Sequence, residues 1–126
     1  METNALITKV IKLCYAVQQE LGHGFNEKIY ENALKILLDE NDVSSQTQAP
    51  FTVSFHGHTI GEFFADVFVE QSLILELKAV KDLCSEHKSQ VLNYLKASNA
   101  PTGLLINFGT PKPQIVRLYN NHAKVS

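Results

Sequence analysis

The sequence has few cysteines, no long apolar run and no excess of positive charge, and each shortage closes off a class of protein. Cys14 and Cys84 are too few and too isolated for a disulfide framework or a paired-cysteine metal site, so both are expected as core thiols in a reducing cytoplasm. No apolar stretch approaches the roughly 18 residues a spanning helix needs, and no membrane partner is expected. The opening "METNALITKVIKLCYAV" lacks the basic-then-apolar order of a secretory signal. Net charge is −2, whereas proteins that hold DNA by bulk electrostatics are basic. Any nucleic-acid function must therefore rest on a local site. Repeats, low-complexity tracts and long linkers are also missing. The 126 residues, 44% of them hydrophobic, suit a single domain over 1–126 with one core.

What is present is a clear change of period. Ile7, Val10, Ile11, Cys14, Val17 and Leu21 recur at the 3–4 spacing of an amphipathic helix over 4–21, which "GHG" ends. A second helix is expected from about Phe25 to Glu40, burying Ile29, Ala33, Leu34 and Leu37. "NDVSSQTQAP" reads as a loop with at most a short edge strand ended by Pro50. From Phe51 the period becomes 2: "FTVSF" and "TIGEFFADVFV" flank a hairpin turn at "HGH", and a tight turn at "EQS" leads into "LILELKAV". A third helix over 82–98 buries Leu83, Val91, Leu92 and Leu95, and "GLLINF" and "QIVRLYN" close the chain as strands. The order α-α-β-β-β-α-β-β predicts an α/β (α+β) fold, a central mixed β-sheet flanked by helices.

The strands over 63–80, "FFADVFVEQSLILELKAV", carry charge among apolar residues: Asp66, Glu76 and Lys78. Alternation puts Glu76 and Lys78 on one face. If "EQS" is a three-residue loop, Val69 pairs with Leu73 and Asp66 falls opposite Glu76, with Cβ atoms roughly 5 Å apart. Like charges in that arrangement repel. Lys78 could relieve them as part of a solvent-facing charge ladder, or a divalent cation could do so by drawing both carboxylates onto one hard ion. Glu27, in "GFNEKIY", can stabilise the start of the second helix or serve a site, with Tyr30 one turn on. Gln90 and Tyr94, in "QVLNY", share a helix face and can be boundary residues or contacts to a phosphate. His56 and His58 have no third ligand nearby for zinc. His23 and His87 read as surface residues, and Lys81, Lys88 and Lys96 as a solvated helix face or a phosphate track.

"GFNEKIY", then D-x9-E-x-K, then QxxxY, then "GLLINFG" resembles the GxxExxY protein family, which is similar to the RecB-like branch of the PD-(D/E)XK nuclease superfamily. The likeness runs from about residue 5 to residue 119, with its motifs in order. Ala65 stands where the wider superfamily often has proline, a position that is no ligand. The resemblance implies a PD-(D/E)XK nuclease-like core and hydrolysis of phosphodiester bonds by a water activated by Mg2+ or Mn2+. It assigns Asp66, Glu76 and the backbone carbonyl of Leu77 as metal ligands, with Glu27 as an additional ligand or the holder of a metal-bound water. Lys78 would sit beside the attacking water, Gln90 and Tyr94 would orient the scissile phosphate or the water, and Tyr30 would complete the substrate contacts. The implied partner is nucleic acid, with DNA expected first, and a homodimer is a further expectation. The alternative is a catalytically silent domain of this fold that binds nucleic acid or a protein.

Overall fold

The computed structural model describes residues 2–121; Met1 and residues 122–126, the ends of the expected 1–126 domain, lie outside them. The elements are α1 (Thr3–Leu21), α2 (Glu27–Glu40), β1 (Ser45–Phe55), β2 (His58–Val69), β3 (Leu73–Lys78), α3 (Ser85–Ser98), β4 (Thr102–Asn107) and β5 (Gln114–Tyr119). Their order is the one the period changes imply. The five strands form one sheet in the order β1-β2-β3-β4-β5. All neighbours are antiparallel except β3 and β4, which α3 connects as a crossover.

The sheet is covered on both faces. Leu73, Leu75 and Leu77 pack with Val10, Cys14 and Val17 of α1 and Leu34 and Leu38 of α2. Ile74, Leu105 and Ala65 pack instead with Val91 and Leu95 of α3. Alternation along β3 therefore sends Glu76 and Lys78 toward the α3 side.

Several local expectations are corrected. α2 begins at Glu27 because the Asn26 side chain caps it, accepting the Ile29 N–H at 3.3 Å. Its buried face is Tyr30, Glu31, Leu34 and Leu38, while Ile29 is exposed. The Tyr30 ring sets that rotation by stacking on Phe108 at 4.5 Å with planes 2° apart. β1 is no short edge strand: it runs through Pro50, which an outermost strand tolerates because one side needs no ladder donor. α3 starts at Ser85 rather than near residue 82, and Leu92 is exposed. Cys84 is exposed just before α3, its N–H donating to His87 Nδ1 at 3.1 Å, so only Cys14 is a core thiol.

Two turns set the register of the site. His56 and Gly57 both adopt positive φ between Phe55 and His58, the geometry of a two-residue hairpin loop. Glu70 and Gln71 also have positive φ, and Val69 pairs with Leu73 across the three-residue loop as the spacing implies.

Candidate metal and nucleic-acid site

The β2–β3 ladder proceeds from Val69↔Leu73 through Phe68↔Ile74 to Val67↔Leu75 and ends there, one step before Asp66 and Glu76. Side chains take over from the backbone at that step. The Leu77 N–H donates to Asp66 Oδ2 at 2.8 Å, and the Asp66 N–H donates to Glu76 Oε1 at 3.1 Å. Each acid thus satisfies a backbone donor of the opposite strand, and the two carboxylates are held together. β2 also changes face here: Ala65 packs on the α3 side, but Val67, two residues later, packs on the α1–α2 side. Opposite this reversal, Gln48 of β1 has φ +50, and its pairing with Asp66 is skipped between Thr47↔Val67 and Ala49↔Ala65. The acid pair sits where the sheet twists and its regular hydrogen bonding breaks.

Electrostatics here do not resemble a surface charge ladder. Glu76 is only 4% exposed. Burial, and then the charge of Asp66, pushes its carboxyl up to about 8. Burial also raises Asp66, partly offset by the Leu77 N–H, with the Glu31 charge pushing further upward. Lys78 lowers both, yet among the described residues it forms no ion pair within 4.0 Å. Its ammonium is therefore close enough to act on the pair and unengaged by it. A buried carboxylate is costly unless compensated, so leaving this pair without a bound lysine disfavours a purely structural role.

Gln90 and Tyr94 are joined on one face of α3. Gln90 Nε2 donates to Tyr94 Oη at 3.0 Å, one turn apart on the helix. Tyr94 is raised by burial and next by the charge of Glu76, which places its phenol in the field of the acid pair. Its ring stacks on Phe63 of β2 at 4.0 Å with planes 7° apart, fixing α3 against the strand that carries Asp66.

Two expectations for α2 are corrected. Tyr30 is fully buried, its hydroxyl donating to the Gly22 carbonyl at 2.8 Å and accepting the Phe25 N–H at 3.3 Å. It anchors the end of α1 and the start of α2 and is sealed from substrate. Glu27 is exposed in the first helical turn, where it complements the helix dipole. The acid that α2 directs to the site is Glu31, 3% exposed. Gln48 Nε2 links the two elements, donating to Glu31 Oε1 at 2.8 Å and to Asp66 Oδ1 at 3.4 Å. Lys28 bonds the other oxygen of Glu31 at 2.7 Å. Glu31 lies one turn beyond Glu27 on the same helix face; only the buried rotation of α2 shows which of the two turns inward.

The "GLLINFG" stretch acts through support. Asn107 is fully buried; its Oδ1 accepts the Val80 N–H and the Gly109 N–H, and its amide donates to the Val80 carbonyl and to Gln114. Gly109 passes so close to Val80 that a Cβ there would lie 2.1 Å from its carbonyl oxygen. Together they clamp the chain two residues beyond Lys78.

Among the described residues, no group of three or more His, Cys, Asp or Glu has the geometry to hold a metal ion, so the expected Asp66, Glu76 and Glu27 set is not assembled. The residues that do converge still suit a hard divalent cation. Asp66 and Glu76 supply carboxyl oxygens side by side, and Mg2+ typically takes one or two carboxylates with water and substrate phosphate completing its shell.

The α/β/α layering around a mixed five-stranded sheet defines a nuclease-like fold. A family model for the PD-(D/E)XK nuclease superfamily matches residues 4–118, and the chain belongs to that superfamily. Nucleases of this superfamily generally use divalent metals and act on nucleic acid. No curated protein matches the chain. Among solved structures, the crystal structure of SSO0001 is similar, with a TM-score of 0.60 at 19% identity over 74% of this chain. That match covers 49% of the SSO0001 chain, and at this identity it bears on the fold alone.

Proposed function

We propose that this domain is a divalent-cation-dependent nuclease of the RecB-like, GxxExxY type, hydrolysing phosphodiester bonds in nucleic acid, with DNA the first substrate to test. The observation that carries the reading is the buried Asp66–Glu76 pair, held by reciprocal backbone hydrogen bonds with an unpaired Lys78 beside it. Asp66 and Glu76, with the Leu77 carbonyl, would hold Mg2+ or Mn2+. Such a cation supplies Lewis acidity that neutralises charge developing on the phosphate oxygens. Lys78 contributes a compact positive charge for the same developing anion, which a planar guanidinium would not reproduce. The Gln90–Tyr94 pair presents an amide and a phenol to orient the phosphate. Glu31, through Gln48, positions Asp66. The free thiols accord with action in a reducing cytoplasm, as a single domain alone or in a homodimer.

The experiment is cleavage of single-stranded, duplex and branched DNA and of RNA, with Mg2+, Mn2+ or chelator. Cleavage that requires the cation and falls on the order of 100-fold or more in Lys78→Ala supports the proposal. The net charge of −2 favours a second reading, a catalytically silent binding domain. Cation uptake without cleavage of any substrate would replace the first reading with the second.

A further inference from the structure

Between the β1–β2 hairpin and α3 runs a groove of about 750 Å³ that the acid pair does not use. Its hairpin wall carries Phe55 and Ile60, 60% and 63% exposed, among the largest apolar exposures on the described surface. Its α3 wall carries Asn93, Tyr94 and Lys96. Phe63 and Tyr94, stacked on one another, form the inner end of the groove, and the Tyr94 phenol lies in the field of Glu76 and Asp66. Phe63 stands three residues before Asp66 on β2, so the inner end of the groove lies on the strand that carries the acid pair's aspartate.

We propose that this groove is a binding track for an unpaired nucleic-acid strand, guiding it past Tyr94 to the Asp66–Glu76 pair. The proposal rests on the nuclease reading and names its substrate class: single-stranded segments or frayed ends rather than intact duplex. A polynucleotide whose phosphate lies at the acid pair must lead away along some path, and this groove offers one whose inner end lies on β2, the strand of Asp66. The path combines the two elements that sequence-tolerant single-strand binding requires. Phe55 offers an aromatic ring for base faces to stack on, Ile60 an aliphatic contact beside it, and Lys96 a cation for the backbone. In a duplex those base faces are covered by neighbouring bases, so only an unpaired strand can use them. Asn93 adds an amide able to meet a base edge or a phosphate. The volume lies in the range of sites that enclose small organic molecules, about 300–1,000 Å³, and so suits splayed nucleotides.

The test is fluorescence anisotropy with a labelled 15-nucleotide oligo-dT and a blunt 15-base-pair duplex, in chelator so that no cleavage intervenes. Wild type is expected to prefer the single strand. Phe55→Ala combined with Ile60→Ala should weaken that binding about 10-fold to 100-fold, the effect of losing one base–aromatic stack and the aliphatic contact beside it. Lys96→Ala should weaken it and flatten its salt dependence. Because Phe55 and Ile60 are exposed, the double variant should melt near wild type, and a melting curve checks this. Unchanged binding in the double variant, or a preference for duplex, overturns the proposal. So does light scattering in which the double variant changes only self-association, which would make the face an interface between copies. Failure of the underlying nuclease reading looks different: wild type binds oligo-dT in chelator yet cleaves nothing when Mn2+ is supplied.

Discussion

Replacing Glu76 by glutamine is expected to make the cation-free protein more stable while removing its response to divalent cations. Glu76 is buried beside Asp66, and its carboxyl is pushed from an ordinary value near 4.5 up to about 8. A carboxyl whose pKa rises on folding contributes stability that is fully present below about 4.5 and is lost as the pH climbs through about 8. At pH 7 the medium lies about 2.5 pH units above the ordinary value, and each is worth about 1.4 kcal/mol, so the loss reaches about 3 kcal/mol. Glutamine keeps the acceptor for the Asp66 N–H and adds an N–H able to face the Asp66 carboxylate, matching the protonated acid without titrating. The assay is urea denaturation in chelator from pH 4.5 to 8.5 for both proteins. Wild type should weaken relative to Glu76→Gln as the pH rises, with the gap approaching about 3 kcal/mol near neutrality. With Mn2+ at about 100 times its dissociation constant, wild type should regain about 2.7 kcal/mol and the variant almost none. Parallel pH curves, or a variant less stable than wild type at pH 7, would refute the picture of a buried, proton-holding acid pair.

Other perturbations separate residues that serve the site from those that only resemble site residues. Glu27→Ala should leave the Mn2+-induced rise in melting temperature unchanged, whereas Glu31→Ala should reduce it by freeing Gln48 from its 2.8 Å partner. Asn107→Ala should cost about 1–3 kcal/mol in chemical denaturation, because it leaves half-buried backbone groups at Val80 unpaired. Tyr30→Phe should cost about 1–2 kcal/mol and leave KM for nucleic acid unchanged, since its hydroxyl serves Gly22 and Phe25. Lys78→Ala should retain the Mn2+ response in melting while losing cleavage, separating cation binding from chemistry.

The parts of the fold legible in the sequence were those written as periods. The switch from 3.6 to 2 at Phe51 carried the element order, and the three residues of "EQS" carried the Val69↔Leu73 register. That register is why Asp66 and Glu76 could be brought together before any coordinates. The misses share a cause: burial of polar groups leaves no mark in a hydropathy pattern. Glu27 and Glu31 are both helix glutamates, and only the stacking of Tyr30 on Phe108 turns Glu31 inward. Gln48 reads as loop because its role depends on a left-handed backbone in mid-strand, a conformation uncommon outside glycine and asparagine. Pro50 suggested a strand end, but the edge position of β1 removes the penalty.

The most direct measurement is a crystal structure of the protein soaked in MnCl2, read by anomalous scattering at the manganese edge. A peak bridged by the Asp66 and Glu76 carboxylates, and absent from Asp66→Asn crystals grown alike, is the expected result. Clear density for both side chains with no anomalous peak between them at millimolar Mn2+, or a peak only elsewhere on the molecule, would contradict it.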